Sequence, residues 1–151
     1  MADTRSPVTF HPLAAIVSEL GRFEIPHMLA GSFASTYHGD PRTTNDIDLV
    51  IDPTREALEG FVRGLDPERF YVSTETALNV VLLDSGWKAD LILRKERPFS
   101  RAEFERRQPA EIAGVAVFVA TAEDTIVAKL EWARAGESER QLRDVIGILE
   151  V

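Results

Sequence analysis

The order of helix-like and strand-like segments predicts an α+β fold, a two-layer α/β arrangement in which a mixed β-sheet carries helices packed on one side. Helices are indicated by apolar residues that recur every three or four positions, as at Leu13, Ile16, Val17 and Leu20. Strands are indicated by short apolar runs, of which residues 47–51 are continuous and rich in β-branched side chains. The order is helix, strand, helix, strand, helix, several strands and finally helices, which fits helices packed on one mixed sheet.

Turn and capping signals separate the elements. Gly21, Gly39 and Gly136 end helical patterns, the Asp84-Ser85-Gly86 triplet joins two strands, and Thr121 is a helix N-cap followed by acids. Helices are predicted at His11–Arg22, 32–38, 54–64, 121–135 and 139–149, with a short charged helix or loop at 101–107. Strands are predicted at His27–Ala30, 47–51, Phe70–Ser73, 78–83 and 87–93, with a small hairpin that includes Ile112 and Val115–Val119.

Composition predicts one soluble domain. The 151 residues suit a single domain with its own core, and the absence of cysteine excludes disulfides and thiolate metal sites. No apolar run approaches the roughly 20 residues of a membrane span, and the N-terminus lacks the pattern of a signal peptide, so we expect a cytoplasmic protein without membrane association. The net charge of −8 disfavours a general binder of polyanions.

Two acids one residue apart, Asp46 and Asp48, flank the start of the apolar run. On a strand they point to the same face, with Cβ atoms about 6.5 to 7 Å apart. From there the two carboxylates can share a divalent ion such as Mg²⁺, which prefers oxygen ligands. The alternative is a strand-end turn in which Asp46 caps a loop, and spacing alone leaves both interpretations open.

Two further features are chemically suggestive. Gly31-Ser32 follows a strand directly and opens a short helix, where free backbone N–H groups and the helix dipole favour a phosphate. Taken alone, the pair is better explained by a plain strand-to-helix turn with serine as the N-cap. Asp90 lies in the middle of a predicted strand, on the same face as Lys88 and Arg94, which also fits a solvated outer face.

In combination these residues resemble the nucleotidyltransferase superfamily built around the polymerase-β-type minimal core. Its pattern of Gly, then Gly or Ser, a spacer and Asp-x-Asp before an apolar run is matched by Gly31-Ser32, thirteen residues and Asp46-Ile47-Asp48. Asp90 matches the third carboxylate. The segment 41–45 resembles the small bacterial branch, which includes the nucleotidyltransferases of toxin–antitoxin and abortive-infection systems.

The C-terminal part adds to the resemblance. Residues 121–130 are similar to a helix of the toxin-like branch that supplies a lysine, here Lys129, and Arg140, Arg143 and Asp144 resemble the helix that follows. Lys129 is alternatively an ordinary exposed helix lysine. Arg143 and Asp144 are alternatively a surface pair, or for Asp144 a tie between helices. The expected domain is a single nucleotidyltransferase-like unit over 1–151, with its core at about 12–120 and a helical segment at about 121–151.

The resemblance implies transfer of a nucleoside monophosphate from an NTP to a hydroxyl of an RNA end, a protein side chain or a small molecule. It further implies two Mg²⁺ ions held by the catalytic acids Asp46, Asp48 and Asp90. The implied nucleotide contacts are Gly31, Ser32, Arg42, Thr43 and Lys129. A partner protein encoded alongside is possible within this branch, and the alternative is a non-catalytic module of the same fold that acts through such a partner.

A local basic segment and the aromatic residues complete the expectations. Residues 94–107 carry six basic against three acidic side chains, which indicates either a patch for an RNA end or nucleotide tail, or a solvated loop. Trp87, Trp132, Phe61 and Phe70 are expected to fill the core.

Overall fold

The computed structural model describes residues 9–39, 46–75, 77–136 and 138–150. Helices occupy α1 His11–Arg22, α2 Gly31–His38, α3 Arg55–Gly64, α4 Pro98–Glu105, α5 Ala122–Arg134 and α6 Ser138–Leu149. Strands occupy β1 His27–Ala30, β2 Asp46–Ile51, β3 Phe70–Ser73, β4 Leu78–Leu82, β5 Lys88–Leu93, β6 Gln108–Ile112 and β7 Val115–Val119. The predicted elements are therefore observed, most of them within one or two residues of their expected ends.

Within these ranges the strands form one mixed sheet in the order β3-β4-β5-β2-β1-β7-β6. The central strand β2 runs antiparallel to β1 and parallel to β5, and β1 runs parallel to β7. The remaining neighbours are antiparallel pairs. The predicted α+β fold with a mixed sheet is confirmed.

The main core lies on one face of this sheet. Leu29, Ile47, Leu49 and Ile51 point to that face and pack against Leu13, Ile16 and Leu20 of α1 and Phe61 of α3, all with no exposed surface. Each such side chain contributes roughly 1.5 to 3 kcal/mol on burial. The apolar positions of β2 alternate with Asp46, Asp48 and Val50, so the core on one face fixes the two acids on the other.

The opposite face is also covered in part, which corrects the expectation of helices on one side only. Phe104 of α4 packs there against Met28, with Val50 beside it. Central strands of a mixed sheet are buried on both faces, and β1 and β2 each carry an apolar residue for the second layer. α5 and α6 pack against each other and against α2. The second layer leaves the ends of β2 and β5 accessible between its helices.

Small differences at element ends have local causes. The helix expected at 101–107 begins earlier, at Pro98, because proline is well tolerated in the first helical turn and fixes the backbone there. In α5 the predicted N-cap is observed, since Thr121 Oγ1 accepts a hydrogen bond of 3.1 Å from the Asp124 N–H. None of the helices in the described ranges has the length and apolar character to cross a membrane.

Candidate active site

A cleft of about 570 Å³ opens on the second face of the sheet, between the sheet, α2, α4 and the α5–α6 pair. The predicted residues Gly31, Ser32, Asp46, Asp48, Asp90 and Lys129 all line it. The two remaining predicted contacts, Arg42 and Thr43, lie outside the described residues. Chain segments that are far apart in sequence thus meet in one cavity.

The register of β2 and β5 brings the acids together. Asp48 lies directly opposite Asp90 on the neighbouring parallel strand, and Asp46 lies opposite Lys88. Lys88 Nζ is 3.6 Å from Asp90 Oδ1 and 4.0 Å from Asp46 Oδ1. The side chain of Asp90 is about a quarter exposed, and its Oδ1 accepts no hydrogen bond from the described residues. An acid in the middle of β5 is therefore part of the cleft rather than of an outer solvated face.

Asp48 has a perturbed pKa. Burial raises its pKa to about 6, and the neighbouring carboxylates of Asp90 and Asp46 and a hydrogen bond with Asp90 add to the shift. The charge of Lys129 acts in the opposite direction. Crowded negative charge of this kind is stabilised by a bound cation.

Gly31 is required where it lies. Its φ of +61° is in the left-handed region that glycine tolerates, and a Cβ there would overlap Asp48 Oδ2. The first turn of α2 can therefore approach the acids closely enough for its backbone N–H groups to meet a ligand held beside them. Ser32 is buried, and its Oγ lies 3.4 Å from Arg140 Nη2 of α6, which donates to it.

Gly31→Ala is expected to lower the free energy of unfolding by ~1 to 2 kcal/mol, which is the cost of the left-handed backbone conformation for an L-residue. The loss should be no smaller than this, because the new Cβ would also displace the Asp48 side chain. Gly21→Ala is the matched control. Gly21 has open space around its Cβ position in α1, so alanine should be neutral or mildly stabilising. Equal denaturant midpoints for the two variants would contradict the close approach of α2 to Asp48.

Lys129 forms a buried ion pair across the α5–α6 interface. Its Nζ donates to Asp144 Oδ2 at 3.0 Å, and the two side chains are only 7% and 5% exposed. The interpretation of Lys129 as an exposed helix lysine is therefore wrong, because α6 covers it. Asp144 is the tie between helices rather than a surface pair, whereas Arg143 lies exposed on α6.

Several residues of the cleft were not predicted to be part of the site. They are Glu103 of α4, Trp132 of α5 and Gln141 of α6. Arg140 of α6 also lines the cleft, and the resemblance had singled it out without a role. Trp132 was expected in the core but is 60% exposed on the cleft wall. Its position on the face of α5 that carries Lys129 and Ala128 is the only sequence signal that places it there, through helical spacing.

Three of the six basic residues of segment 94–107 form ion pairs with acids. Arg97 Nη2 lies 2.6 Å from Glu131 Oε2, Arg106 holds Asp124 through two hydrogen bonds of 2.8 and 2.9 Å, and Arg94 Nε lies 3.5 Å from Asp52 Oδ2. Much of its positive charge is thus neutralised locally, which favours the solvated, ion-paired interpretation over a dedicated RNA surface.

Glu103 has an unusual environment at the edge of the cleft. Burial raises its pKa to about 7, and the acids Asp124 and Glu131 contribute in the same direction, while Arg106 and Arg97 oppose them. The folded state thus binds the proton of Glu103 more tightly than the unfolded chain does. The stability that this provides is complete below the ordinary pKa of glutamate and is lost as the pH rises towards 7.

Glu103→Gln is accordingly expected to raise stability above pH 7 by about 1 kcal/mol, a value reduced for the partial exposure of the side chain. At pH 4.5 and below, wild type and variant should unfold alike, because Glu103 is protonated there. Thermal unfolding at pH 4.5 and pH 8 and constant ionic strength measures the difference. A difference that does not change with pH would contradict the assignment.

Comparison with known proteins was informative only at the level of structure. No protein-family model matches the chain, and no curated protein sequence matches it. Several solved structures resemble it over most of their length. An antigenic nucleotidyltransferase-like protein from Paracoccidioides brasiliensis superposes with a TM-score of 0.67 at 16% identity, covering 96% of this chain and 78% of that one.

Two further neighbours are an antibiotic adenylyltransferase and an antibiotic-resistance factor. The lincosamide antibiotic adenylyltransferase LnuA, solved with lincomycin bound, has a TM-score of 0.62 at 11% identity and covers 95% of this chain and 99% of its own. ANT(2″)-Ia, solved with adenylyl-2″-tobramycin, has a TM-score of 0.61 at 17% identity, with 91% and 86% covered. This chain has the nucleotidyltransferase fold. The expected resemblance is therefore confirmed in its fold.

On this nucleotidyltransferase fold, the two facing acids Asp48 and Asp90 offer carboxylate oxygens of the kind that divalent metals bind. Asp48 and Asp90 face each other, burial and then the neighbouring carboxylates raise the pKa of Asp48, and Asp90 Oδ1 receives no hydrogen bond from the described residues. Among residues 9–39, 46–75, 77–136 and 138–150, no three acids or histidines are already gathered as a metal-binding group. The ammonium group of Lys88 lies between Asp46 and Asp90 and partly neutralises their negative charge.

Proposed function

We propose that the protein is a Mg²⁺-dependent nucleotidyltransferase that transfers a nucleoside monophosphate from an NTP to a hydroxyl acceptor. The observation that carries this proposal is the juxtaposition of Asp48 and Asp90 on neighbouring parallel strands, with the turn at Gly31 against Asp48 and Lys129 in the same cleft. A nucleotidyltransferase fold alone does not establish an activity. The presence of acids, phosphate-binding turn and buried lysine in one cavity supports it.

Each residue has a distinct role in this proposal. Asp46, Asp48 and Asp90 hold the metal, since carboxylate oxygens are the ligands that Mg²⁺ prefers. Backbone N–H groups at Gly31 and Ser32 bind the terminal phosphates at the start of α2. Lys129 supplies a compact positive charge to the triphosphate while Asp144 holds it in place. Arg42 and Thr43 remain proposed as further phosphate contacts.

The chemistry is an in-line displacement at the α-phosphorus. When bound, Mg²⁺ neutralises phosphate charge and lowers the pKa of the attacking hydroxyl. Asp90 accepts the proton of the acceptor hydroxyl, whose oxygen forms the new bond to the α-phosphorus. The bond from that phosphorus to the bridging oxygen breaks, and pyrophosphate leaves with its electron pair. Lys129 and the α2 backbone stabilise the charge that develops on the leaving group.

A small molecule with a hydroxyl is the acceptor that we favour. Two of the structural neighbours are a lincosamide antibiotic adenylyltransferase and ANT(2″)-Ia, which was solved in complex with adenylyl-2″-tobramycin. The ion pairs of Arg94, Arg97 and Arg106 reduce the positive charge that the 94–107 segment could offer to an RNA backbone. RNA ends, protein hydroxyls and a partner protein of a toxin–antitoxin pair are the other arms of the test.

The test uses the purified full chain with Mg²⁺ and NTPs labelled at the α-phosphate. Separate reactions contain hydroxyl-bearing small molecules, including an aminoglycoside and a lincosamide, total RNA, or total protein. Label should move to one acceptor pool with release of pyrophosphate. Asp90→Asn should abolish transfer, whereas Asp84→Asn, an exposed acid in the β4–β5 turn, should not. Nucleotide binding without transfer to any pool would instead favour a non-catalytic module.

A further inference from the structure

We infer that Trp132 and Gln141 form the subsite for the base of the nucleotide, and that this base is adenine. The inference rests on the proposed function and adds the selectivity of the same cleft. Its basis is the pairing of α5 and α6, the burial of one amide and the exposure of one indole. No spacing in the sequence connects the two residues.

The two residues lie at the same level of the α5–α6 pair. The Lys129–Asp144 contact fixes the register of these antiparallel helices. Trp132 follows Lys129 by three residues on α5, and Gln141 precedes Asp144 by three residues on α6. Both therefore lie about 4.5 Å closer to the connection between the helices than the ion pair does. Both line the cleft. Trp132 and Gln141 therefore lie about one helical turn from Lys129, which is proposed to bind the phosphates.

Arg140 supports this direction. Its guanidinium reaches back to Ser32 Oγ at the start of α2, next to the proposed phosphate site. Gln141 follows it on α6 and faces the same cavity. A ligand whose phosphates lie at Ser32 and Lys129 can therefore extend its sugar and base along α6 towards Gln141.

Gln141 has a hydrogen-bonding group that its surroundings do not satisfy. Its side chain belongs to a residue only 8% exposed, and Oε1 has no hydrogen-bond partner among the residues that the structure describes. A buried amide oxygen without a donor is costly, because it loses water and gains nothing in exchange. A ligand N–H in the cleft would satisfy it.

Trp132 provides the complementary surface. It is 60% exposed although its indole is a large apolar group, and its position on the cleft wall leaves a flat face for a planar ring. Bases stack on such side chains with little dependence on their identity. The indole therefore supplies affinity, and selectivity falls to the amide of Gln141.

Adenine satisfies both groups. A glutamine amide can accept a hydrogen bond from the 6-amino group of adenine and donate one to a ring nitrogen beside it. The purine also covers more of the indole than a pyrimidine does. The 6-amino group is the donor that Gln141 Oε1 needs.

The experiment compares three ligands in the presence of Mg²⁺: ATP, the triphosphate of purine riboside, which lacks the 6-amino group, and inorganic tripolyphosphate. Trp132→Ala should weaken ATP binding roughly tenfold and leave tripolyphosphate binding unchanged. Wild type should prefer ATP over the purine riboside triphosphate roughly tenfold, and Gln141→Leu should remove that preference. Leu130→Ala, an exposed residue of α5 outside the cleft, is the control.

The outcomes separate the two proposals. Unchanged ATP affinity in Trp132→Ala, or an unchanged ATP preference in a folded Gln141→Leu chain, would overturn the proposed base subsite. If tripolyphosphate still binds in that case, the proposed phosphate site is retained. If wild type binds neither ATP nor tripolyphosphate with Mg²⁺, both proposals fail. Thermal unfolding monitors the folding of Gln141→Leu. Should that variant not fold, the exposed Trp132 decides the outcome alone.

Discussion

Replacement of both Asp46 and Asp48 by asparagine is expected to abolish nucleotidyl transfer while the protein stays folded. The metal would lose two of its three carboxylate ligands, and metal-assisted stabilisation of the transition state is worth several kcal/mol, so the rate should fall by at least ~10³-fold. The fold should survive, because asparagine keeps the shape of each side chain and removes both the burial of a charged carboxylate and the repulsion between carboxylates, which together raise the pKa of Asp48. Turnover of α-labelled ATP and circular dichroism measure the two effects.

Asp52→Asn provides the matched control for this variant. Asp52 follows β2 directly but pairs with Arg94 instead of lining the cleft, so its loss should leave transfer unchanged. Transfer that survives in the double asparagine variant would show that the chemistry takes place elsewhere. Unfolding of that variant would show that the acids are needed for the structure itself.

Among the single substitutions considered, Lys129→Met is expected to lower the free energy of unfolding most, by about 3 kcal/mol. Removal of the lysine takes the ammonium group away from the buried carboxylate of Asp144 between α5 and α6, and the loss of one member of a buried ion pair is strongly destabilising. Chemical denaturation measures the free energy of unfolding. Transfer should fall as well, since the variant also lacks the positive charge in the cleft.

The double variant Lys129→Met/Asp144→Leu separates the two roles of the lysine. Replacement of a whole buried ion pair by apolar residues of similar size is often neutral or stabilising, so stability should return to near the wild-type value. Transfer should not return, because the ammonium group is still missing. Recovery of both properties would make the pair purely structural, and persistent instability would show that Asp144 stabilises the fold by other contacts.

The architecture could be predicted because its signals are local. The apolar run after Asp48 predicts a buried strand, and strand alternation then places Asp46 and Asp48 on one face, as the structure shows. Turn glycines and the Thr121 cap predicted where helices begin and end. That α4 covers the second face was not predictable, because the burial of Phe104 depends on Met28 and Val50 from distant strands.

The residues that line the cleft were predictable only in part, because contacts between distant segments of the chain bring them together. Asp90 could be assigned through the resemblance, but its position opposite Asp48 is a matter of strand register. Trp132 was expected in the core because tryptophan is highly buried on average, but in this structure it lines the cleft. Single polar residues such as Glu103 and Gln141 have no spacing rule that marks them, and only tertiary packing brings them to the site.

The most direct test of the account is calorimetric titration of the purified chain with ATP, with and without Mg²⁺, repeated with Asp46→Asn. The measurement does not depend on the unknown acceptor. We expect binding that requires Mg²⁺ and is lost in Asp46→Asn, with the fold of the variant intact. ATP binding that is equally tight without Mg²⁺ or in the variant, or no binding by a well-folded wild-type chain, would contradict a metal-dependent nucleotidyltransferase site in this cleft.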